Sequence, residues 1–192
     1  MQTGTVIVIN GASSAGKTTL VRALQAALPD PYLDAGLDKF LWMLPGRWLQ
    51  PPRWNDVMGQ ATRAGPVGHT LVQRMHRAVA ELARAGNHVL VDHVMVEEAW
   101  LQHAQSTLAG LPTLFVAAYC PLPVLQERER ARGDRTLGQA EAQAGLVHRH
   151  ARYDVVVDTS VMSAEEGAHA VHQHLVQSGP NLAFNSGARC VA

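Results

Sequence analysis

Residues 6–19 read Val6-Ile7-Val8-Ile9-Asn10-Gly11-Ala12-Ser13-Ser14-Ala15-Gly16-Lys17-Thr18-Thr19, and they say more about the fold than any other segment. The branched apolar residues at the start predict a buried strand, and Gly11 to Thr18 match the phosphate-loop pattern Gly-x4-Gly-Lys-[Ser/Thr]. Such a loop turns its backbone N–H groups inward around phosphate oxygens. We expect Gly11 and Gly16 to allow this because glycine readily adopts positive φ angles.

The residues after the loop support this interpretation. An amphipathic helix is predicted by the apolar spacing of Leu20, Ala23, Leu24, Ala27 and Leu28. A strand, a glycine loop and a helix in this order form the context of a nucleoside triphosphate site, whereas a ligand-free turn needs no lysine followed by a hydroxyl residue. We therefore predict that residues 11–19 bind ATP, with Lys17 at the β- and γ-phosphates and the Thr18 hydroxyl on Mg²⁺.

Composition limits the classes of protein to consider. With 192 residues, 47% of them hydrophobic, the chain has the size of one domain with a full core. Sixteen basic residues balance sixteen acidic ones without long runs of one sign, so we expect neither nucleic acid nor a membrane as partner. The absence of a signal-like or transmembrane-length apolar segment predicts a cytoplasmic protein. The oligomeric state, including a homo-oligomer, stays open.

Metal chemistry other than magnesium is not expected from the cysteines and histidines. Cys120 and Cys190 are far apart and form no Cys-x-x-Cys, and Cys120 is predicted to be a small buried apolar residue. The ten histidines contain no His-Glu-x-x-His pattern. The pair His148 and His150, and the group at 169, 172 and 174, are predicted to lie on the surface or on helix faces.

The rest of the chain alternates strands and helices. Further apolar strands are predicted at residues 32–37, 89–92, 114–119 and 155–158. Between them, helical spacing covers residues 72–82 and 97–108, and Ser163-x-x-Glu166 is a capping box for the last helix. This order predicts a doubly wound α/β domain over residues 1–178, with a parallel sheet of about five strands covered by helices on both faces. Residues 179–192 are predicted to be a flexible tail.

A segment rich in Pro, Gly and Trp interrupts this alternation at residues 45–68. It has no clean periodicity and is predicted to be a loop or a substrate-side excursion. Trp42, Trp48 and Trp54 either wall an aromatic pocket or pack into the core.

Two aspartates are candidates for the chemistry because ligands of open α/β sheets bind at the carboxyl ends of the strands. Asp92 follows Val89-Leu90-Val91 and has the form of an acid that holds Mg²⁺, directly or through water; the alternative is a capping or turn aspartate. Asp38 follows the predicted second strand. From pattern alone it is equally well a functional carboxylate or the N-cap of a helix beginning at Lys39.

An arginine-rich segment covers residues 127–135. Its interleaved acids fit an exposed helix face for Arg128 and Arg130, through Glu/Arg pairs one turn apart. Arg132 and Arg135 flank Gly133, and we predict that they belong to a mobile lid that closes over the transferred phosphate.

Taken together, these residues resemble the chloramphenicol phosphotransferases, small P-loop kinases that phosphorylate the antibiotic. The resemblance covers about residues 5–175. It is carried by Asn10 to Lys17, Gly36-Leu37-Asp38, Val91-Asp92-His93-Val94, Ala131 to Arg135, Gln143, Val147-His148, Tyr153-Asp154 and Val157-Asp158-Thr159. The chain departs from the family at His93, where the relatives have a second aspartate, and at residues 42–68.

The resemblance implies a three-layer P-loop NTPase of the nucleoside-kinase-like type, with an arginine-bearing lid. It implies that Asp38 is the base that accepts the proton of the substrate hydroxyl. We expect transfer of the γ-phosphoryl group of ATP to a hydroxyl of a small molecule, with Lys17, Arg132 and Arg135 catalytic and Mg²⁺ held by Thr18 and Asp92. Chloramphenicol or a similar antibiotic is the expected acceptor. The alternatives are a metabolic kinase with a sugar, shikimate-like or nucleoside acceptor, and a non-catalytic nucleotide switch.

Overall fold

A parallel β-sheet forms the centre of the computed structural model, which describes residues 2–58, 62–132 and 137–181. Its strands are β1 (Val6–Asn10), β2 (Tyr32–Asp34), β3 (His88–His93), β4 (Thr113–Tyr119) and β5 (Val155–Asp158). They lie in the order β2-β3-β1-β4-β5, and every neighbouring pair is parallel. The strand that precedes the glycine loop is therefore the middle strand of the sheet.

Helices connect the strands. They are α1 (Lys17–Ala27), α2 (Leu37–Leu41), α3 (Trp54–Val57), α4 (Pro66–Arg84), α5 (Glu98–Thr107), α6 (Leu122–Arg132), α7 (Gln139–Ala144) and α8 (Ala164–Ser178), with a short 3-10 helix at Gly46–Trp48. None of the helices described is long and apolar enough to cross a membrane.

The alternation of side chains along β1 divides the core into two halves. Val6 and Val8 point into a cluster that includes Val72 and Met75 of α4 and Trp100 of α5. The cluster on the opposite face is formed by Ile7, Ile9, Leu20, Leu24 and Val171, the last three from α1 and α8. Because successive residues of a strand face opposite sides, a wholly apolar strand must be covered on both. The result is the predicted three-layer α/β architecture.

The structure corrects the local prediction for residues 32–68. The second strand ends at Asp34, and α2 begins at Leu37 with Gly36 as its N-cap, so that Asp38 lies inside the first helical turn instead of capping a helix at Lys39. The Pro- and Trp-rich excursion contains the 3-10 helix and α3, and α4 begins within it at Pro66. Helices of three to five residues are too short to produce a periodic pattern, and sequence analysis therefore missed them.

The end of the described chain returns to the sheet. The predicted capping box is present: Glu166 N donates to Ser163 Oγ over 3.1 Å, and Ser163 N donates to Glu166 Oε2 over 2.8 Å. Beyond α8, Asn181 pairs through its backbone with Thr113 at the start of β4. The remainder of the predicted tail, residues 182–192, lies outside the described residues.

Candidate active site

The loop between β1 and α1 has the backbone conformation of an anion cradle. Ser14 and Gly16 have positive φ angles of 64° and 80°. Gly11 does not, which corrects our expectation: a Cβ at Gly11 would stand 2.5 Å from the carbonyl oxygen of Ala118 on β4, so this glycine is required by close packing. The two glycines of the loop are thus needed for different reasons: Gly11 for its close approach to β4 and Gly16 for its positive φ angle.

The beginning of α1 is available for an anion. The helix has no side-chain cap and no acidic residue in its first turn, so its first N–H groups and its positive dipole end are not neutralised by the helix itself. Ser14 Oγ, inside the loop, is buried without a hydrogen-bond partner among the described residues. Lys17 Nζ lies across the loop and donates to the carbonyl of Ala12 over 2.8 Å. These donors fit a phosphate group.

Asp92 stands beside this loop because of the strand register. Ile9 is paired with Asp92 on neighbouring parallel strands, so both strands end at the same edge of the sheet. Thr18 Oγ1 donates to Asp92 Oδ2 over 3.2 Å, which brings the two predicted magnesium ligands into contact. Burial raises the pKa of Asp92, while Lys17 lowers it and the charge of Asp38 raises it again. An uncharged hydroxyl and a carboxylate are oxygen donors of the type that Mg²⁺ prefers.

The absence of a side chain at Gly36 leaves room for the carboxylate of Asp92. A Cβ at Gly36 would stand 1.9 Å from Asp92 Oδ1. The glycine of the Gly-x-Asp sequence therefore has a steric role that concerns Asp92, while the aspartate of the same sequence, Asp38, reaches the site from α2.

One cleft, of about 910 Å³ with its open mouth included, brings the predicted residues together. Lys17, Thr18, Asp38, Asp92 and Arg132 all line it. Arg132 is the last residue of α6. The predicted partner of Arg132 in the lid, residue 135, lies outside the described residues.

The cleft also has a wall that is mainly apolar. From α2, the α3 region and the end of β3 come Leu37, Leu41, Trp54, Met58, His93 and Val94. Trp54 is therefore the tryptophan that contributes to the pocket. Trp42 is 72% exposed, and Trp48 packs under the guanidinium of Arg53 at 4.8 Å.

A second cavity lies on the other side of the loop. Among its lining residues are Arg128, Val157, Thr159 and Met162, and it shares Ser14, Gly16, Thr18, Thr19 and Arg132 with the first cleft. The phosphate loop consequently separates two spaces, one on the side of β3 and one on the side of β5.

Arg130 is exposed, as expected for a helix face, whereas Arg128 is partly buried and makes contacts outside its helix. Arg128 Nη2 donates to the carbonyl of Thr159 over 2.7 Å, and the Thr159 hydroxyl lies 3.0 Å from the carbonyl of Ala15 in the loop. Glu129 is buried and accepts hydrogen bonds from the backbone N–H groups of Gly138 and Ala140 over 2.8 and 2.9 Å. Both side chains fasten the end of α6 to its surroundings, an arrangement that involves residues too distant in sequence for pairing rules along one helix to predict.

A chain of three histidines, which sequence analysis did not identify, leads away from His93, a residue that lines the cleft. His76 Nε2 lies 3.1 Å from His93 Nε2, and His76 Nδ1 lies 3.0 Å from His103 Nδ1. Burial lowers the pKa of His76 to about 2 and that of His93 to about 3, so both rings are neutral at pH 7. Within the parts of the chain that the structure describes, no three His, Cys, Asp or Glu side chains form a metal-binding group.

His148 also differs from the surface or helix-face position that we predicted for it. It is half-buried, its Nδ1 lies 2.7 Å from the hydroxyl of Tyr153, and burial lowers its pKa to about 4. Asn10 at the end of β1 donates to the same hydroxyl over 2.8 Å and accepts from the backbone N–H of Met95 over 2.8 Å. Cys120 is buried, as predicted.

Comparisons with known proteins agree with this geometry. A family model described as "Chloramphenicol phosphotransferase-like protein" matches residues 4–176. Two proteins from strains of Mycobacterium tuberculosis, both named "Putative O-phosphotransferase", are 28% identical over 198 residues, covering 96% of this chain and 88% of the relative.

Solved structures with the same fold include several P-loop kinases. The APS kinase CysC of Mycobacterium tuberculosis, solved with AMPPNP and APS, has a TM-score of 0.66 at 18% identity and covers 92% of this chain and 100% of its own. The tunicamycin resistance protein of Deinococcus radiodurans has a TM-score of 0.64 at 20% identity, covering 93% and 97%. A gluconokinase from Sinorhizobium meliloti has a TM-score of 0.60 at 18% identity, covering 91% and 92%. These likenesses confirm the three-layer P-loop fold.

Proposed function

Because this chain belongs to the chloramphenicol phosphotransferase-like family, we propose that it transfers the γ-phosphoryl group of ATP to a hydroxyl of a small molecule. Family and fold together identify a kinase-like phosphotransferase of the P-loop class. The observation that carries the finer proposal is the shared cleft: Lys17, Asp38, Asp92 and Arg132 converge on one space beside the phosphate loop.

The nucleotide is proposed to lie along the loop. Its phosphates would accept hydrogen bonds from the backbone N–H groups of residues 11–19 and from Lys17 at the start of α1. The cavity lined by Arg128, Val157, Thr159 and Met162 has the size and the mixed polar and apolar walls that suit the nucleoside. Mg²⁺, held by Thr18 and Asp92, would neutralise charge on the β- and γ-phosphates.

Asp38 is proposed to be the base. The acceptor oxygen attacks the γ-phosphorus, the bond from that phosphorus to the β,γ-bridging oxygen breaks, and the hydroxyl proton passes to the Asp38 carboxylate. A general base of this kind contributes about a hundredfold to ten-thousandfold in rate. Lys17 and Arg132 supply positive charge where the transferred group carries negative charge, and Arg135 is proposed to join them from the lid.

The acceptor side of the cleft favours an uncharged, partly aromatic molecule such as chloramphenicol. Among the described lining residues, the positive charges are those of Lys17 and Arg132, both committed to phosphate, and the wall formed by Leu37, Leu41, Trp54 and Met58 is apolar. An acceptor with its own phosphate, sulfate or carboxylate would find no further cation on that wall. This argues against the anionic acceptors of some metabolic kinases and supports modification of an antibiotic.

Two other functions remain distinguishable by experiment. A metabolic kinase would phosphorylate a sugar, a shikimate-like compound or a nucleoside in place of chloramphenicol. A non-catalytic nucleotide switch would bind ATP and form no phosphorylated product. A nucleotide switch needs no carboxylate on the acceptor side, so the presence of Asp38 in the same cleft as Lys17 favours the enzyme.

A mass-spectrometric acceptor panel tests the proposal. The protein is incubated with MgATP and with chloramphenicol, gluconate, shikimate and adenosine separately, and each sample is examined for a gain of one phosphoryl group. We expect product from chloramphenicol. In the same assay Asp38→Asn should retain nucleotide binding by calorimetry and lose at least about a hundredfold in kcat. Absence of a phosphorylated product from every compound would contradict the proposed function. Normal turnover by Asp38→Asn would contradict the assignment of Asp38 as the base.

A further inference from the structure

The side chain of Glu97 does not cap the helix that begins after it. Glu97 is the N-cap residue of α5, but its carboxylate makes no capping hydrogen bond. Glutamate is not among the residues favoured at this position, which are mainly Ser, Thr, Asp and Asn. The carboxylate contacts α4 and the segment before it instead. Glu97 Oε1 accepts a hydrogen bond from the backbone N–H of Ala64 over 3.0 Å, and Glu97 Oε2 lies 3.2 Å from His69 Nε2.

The neighbours of His69 determine which of its nitrogens carries the proton. An indole nitrogen is only a donor, so Trp100 Nε1 donates to His69 Nδ1 over 2.9 Å. His69 Nδ1 is therefore an acceptor, and His69 Nε2 carries the proton that it donates to Glu97. Both oxygens of the Glu97 carboxylate thus accept from N–H groups, one of the backbone and one of an imidazole. A side chain with a single acceptor oxygen cannot satisfy both.

The segment that Glu97 holds is packed against α3. Gly65, the residue after Ala64, donates through its backbone N–H to the carbonyl of Val57 in α3 over 3.1 Å. A Cβ at Gly65 would stand 2.4 Å from another backbone carbonyl oxygen of the same helix, so there is no free space between the two. Trp54 begins α3, Met58 follows its last residue, and both line the cleft. A displacement of the segment would therefore move the acceptor side of the cleft.

We propose that Glu97 is a positioning residue for acceptor binding, because its two hydrogen bonds hold α3 where Trp54 and Met58 form the acceptor side of the cleft. This inference rests on the phosphotransferase function proposed above. Glu97 is not one of the described residues that line the cleft, so it acts through α3 and not by contact with the acceptor.

The size of the effect follows from the population of the held position of α3. If α3 occupies this position for a smaller fraction of the time, the apparent affinity for the acceptor falls by the same fraction. Loss of one hydrogen bond to a charged group changes such an equilibrium about tenfold. The phosphate loop lies on the other side of the cleft and does not depend on this contact, so nucleotide affinity should not change.

The substitution Glu97→Gln removes one of the two acceptor oxygens with little change in shape. The introduced amide N–H₂ faces either the Ala64 N–H or the His69 Nε2–H, and both of these are donors. We expect the KM for chloramphenicol to rise about tenfold, with kcat and the KM for MgATP within about threefold of the wild-type values. The matched control is Glu98→Gln, because Glu98 is exposed and its carboxylate accepts a hydrogen bond from Gln102 on its own helix. This control should keep all three wild-type values.

Three results of these kinetic measurements would overturn the inference. The first is a rise of less than about threefold in the KM of Glu97→Gln for chloramphenicol. The second is an equal rise in Glu98→Gln, which would show a general effect of lost surface charge. The third is an equal rise in the KM for MgATP, which is expected of a residue that only stabilises the fold.

Hydrogen exchange of the wild-type protein tests the same contact without any substitution. The exchange rate of the Ala64 amide is measured by NMR with a non-hydrolysable ATP analogue, in the presence and in the absence of chloramphenicol. We expect chloramphenicol to slow this exchange, because acceptor binding and Glu97 stabilise the same position of α3. An Ala64 exchange rate that does not respond to chloramphenicol would overturn the inference.

The outcomes distinguish this inference from the proposed function. If chloramphenicol is phosphorylated and its KM is unchanged in Glu97→Gln, the enzyme function stands and the role of Glu97 is refuted. If no compound of the panel gains a phosphoryl group, the proposed function fails, and hydrogen exchange alone decides the role of Glu97. Slower exchange of the Ala64 amide with chloramphenicol would then support positioning of α3 for ligand binding, and an unchanged rate would refute it.

Discussion

Replacement of Gly36 by alanine should disable the site without unfolding the protein. Gly36 has a φ angle of −68°, which alanine adopts freely, so the substitution adds no backbone strain. The new Cβ would, however, stand 1.9 Å from Asp92 Oδ1, where an ordinary contact begins at 3.4 Å. The carboxylate therefore has to retreat by about 1.5 Å, or α2 has to move outward by a similar amount.

Such a displacement separates Asp92 from the Thr18 hydroxyl, to which it is now hydrogen-bonded over 3.2 Å. A misplacement of about 1 Å in an active site reduces turnover about a hundredfold, which corresponds to about 2.7 kcal/mol in activation free energy. If α2 moves instead, Asp38 moves with it. Both routes give the same expectation, a fall in kcat of about a hundredfold.

The assay is steady-state ADP release with chloramphenicol as acceptor, accompanied by a thermal melting curve. The matched control is Gly46→Ala, because a Cβ at Gly46 has no atom within 4 Å. This control should keep the wild-type kcat and melting temperature. Wild-type turnover in Gly36→Ala would refute the argument that Asp92 must stand where it does, and an equal loss in Gly46→Ala would show that the effect is not specific to the site.

Three further predictions concern stability. Burial raises the pKa of Asp92, so the contribution of this side chain to stability is present below pH 3.8 and is lost as the pH rises through the folded-state pKa. Asp92→Asn should therefore raise the melting temperature at pH 7 and leave it unchanged at pH 3. A lower melting temperature of the variant at pH 7 would contradict this. Burial lowers the pKa values of His76, His93 and His148 from 6.5 to about 2, 3 and 4, so the unfolded chain takes up protons that the folded protein does not. The unfolding free energy in urea should consequently fall between pH 7 and pH 5, whereas a constant value would show that these rings are not buried as neutral groups. Ser163→Ala removes the capping box of α8 and should lower the unfolding free energy by about 1 kcal/mol in urea titration; no change would mean that the cap does not stabilise the helix.

The phosphate loop was predictable because its signal is local. A buried strand, Gly16 with its positive φ angle and Lys17 all lie within residues 6–17, and each imposes its own backbone or chemical requirement. The proximity of Asp92 to Thr18 was predictable for a different reason, since parallel strands end at one edge of the sheet. Pattern alone left Asp38 open between a functional carboxylate and an N-cap, and the family resemblance implied its role as the base.

The features that sequence analysis missed depend on contacts between distant residues. His76 and His93 are 17 positions apart and His76 and His103 are 27 apart, and each residue alone fits a helix face or a strand end. Gly11 and Gly36 do not have positive φ angles. A side chain at either position would clash with a residue of another strand, and this cannot be predicted from the neighbouring sequence. That Trp54 lines the cleft and Trp42 does not likewise depends on the path of the chain in three dimensions.

The central position of β1 has an evolutionary consequence. The spaces that we propose for the acceptor and the nucleotide are lined from opposite flanks of the sheet, the first by β3 with α2 and α3 and the second by β5. The two spaces share five residues of the loop, α1 and α6. Mutations that remodel one flank need not disturb the other. Under the proposed function, substitutions at Leu37, Leu41 or Trp54 would therefore alter acceptor choice and leave the nucleotide space intact.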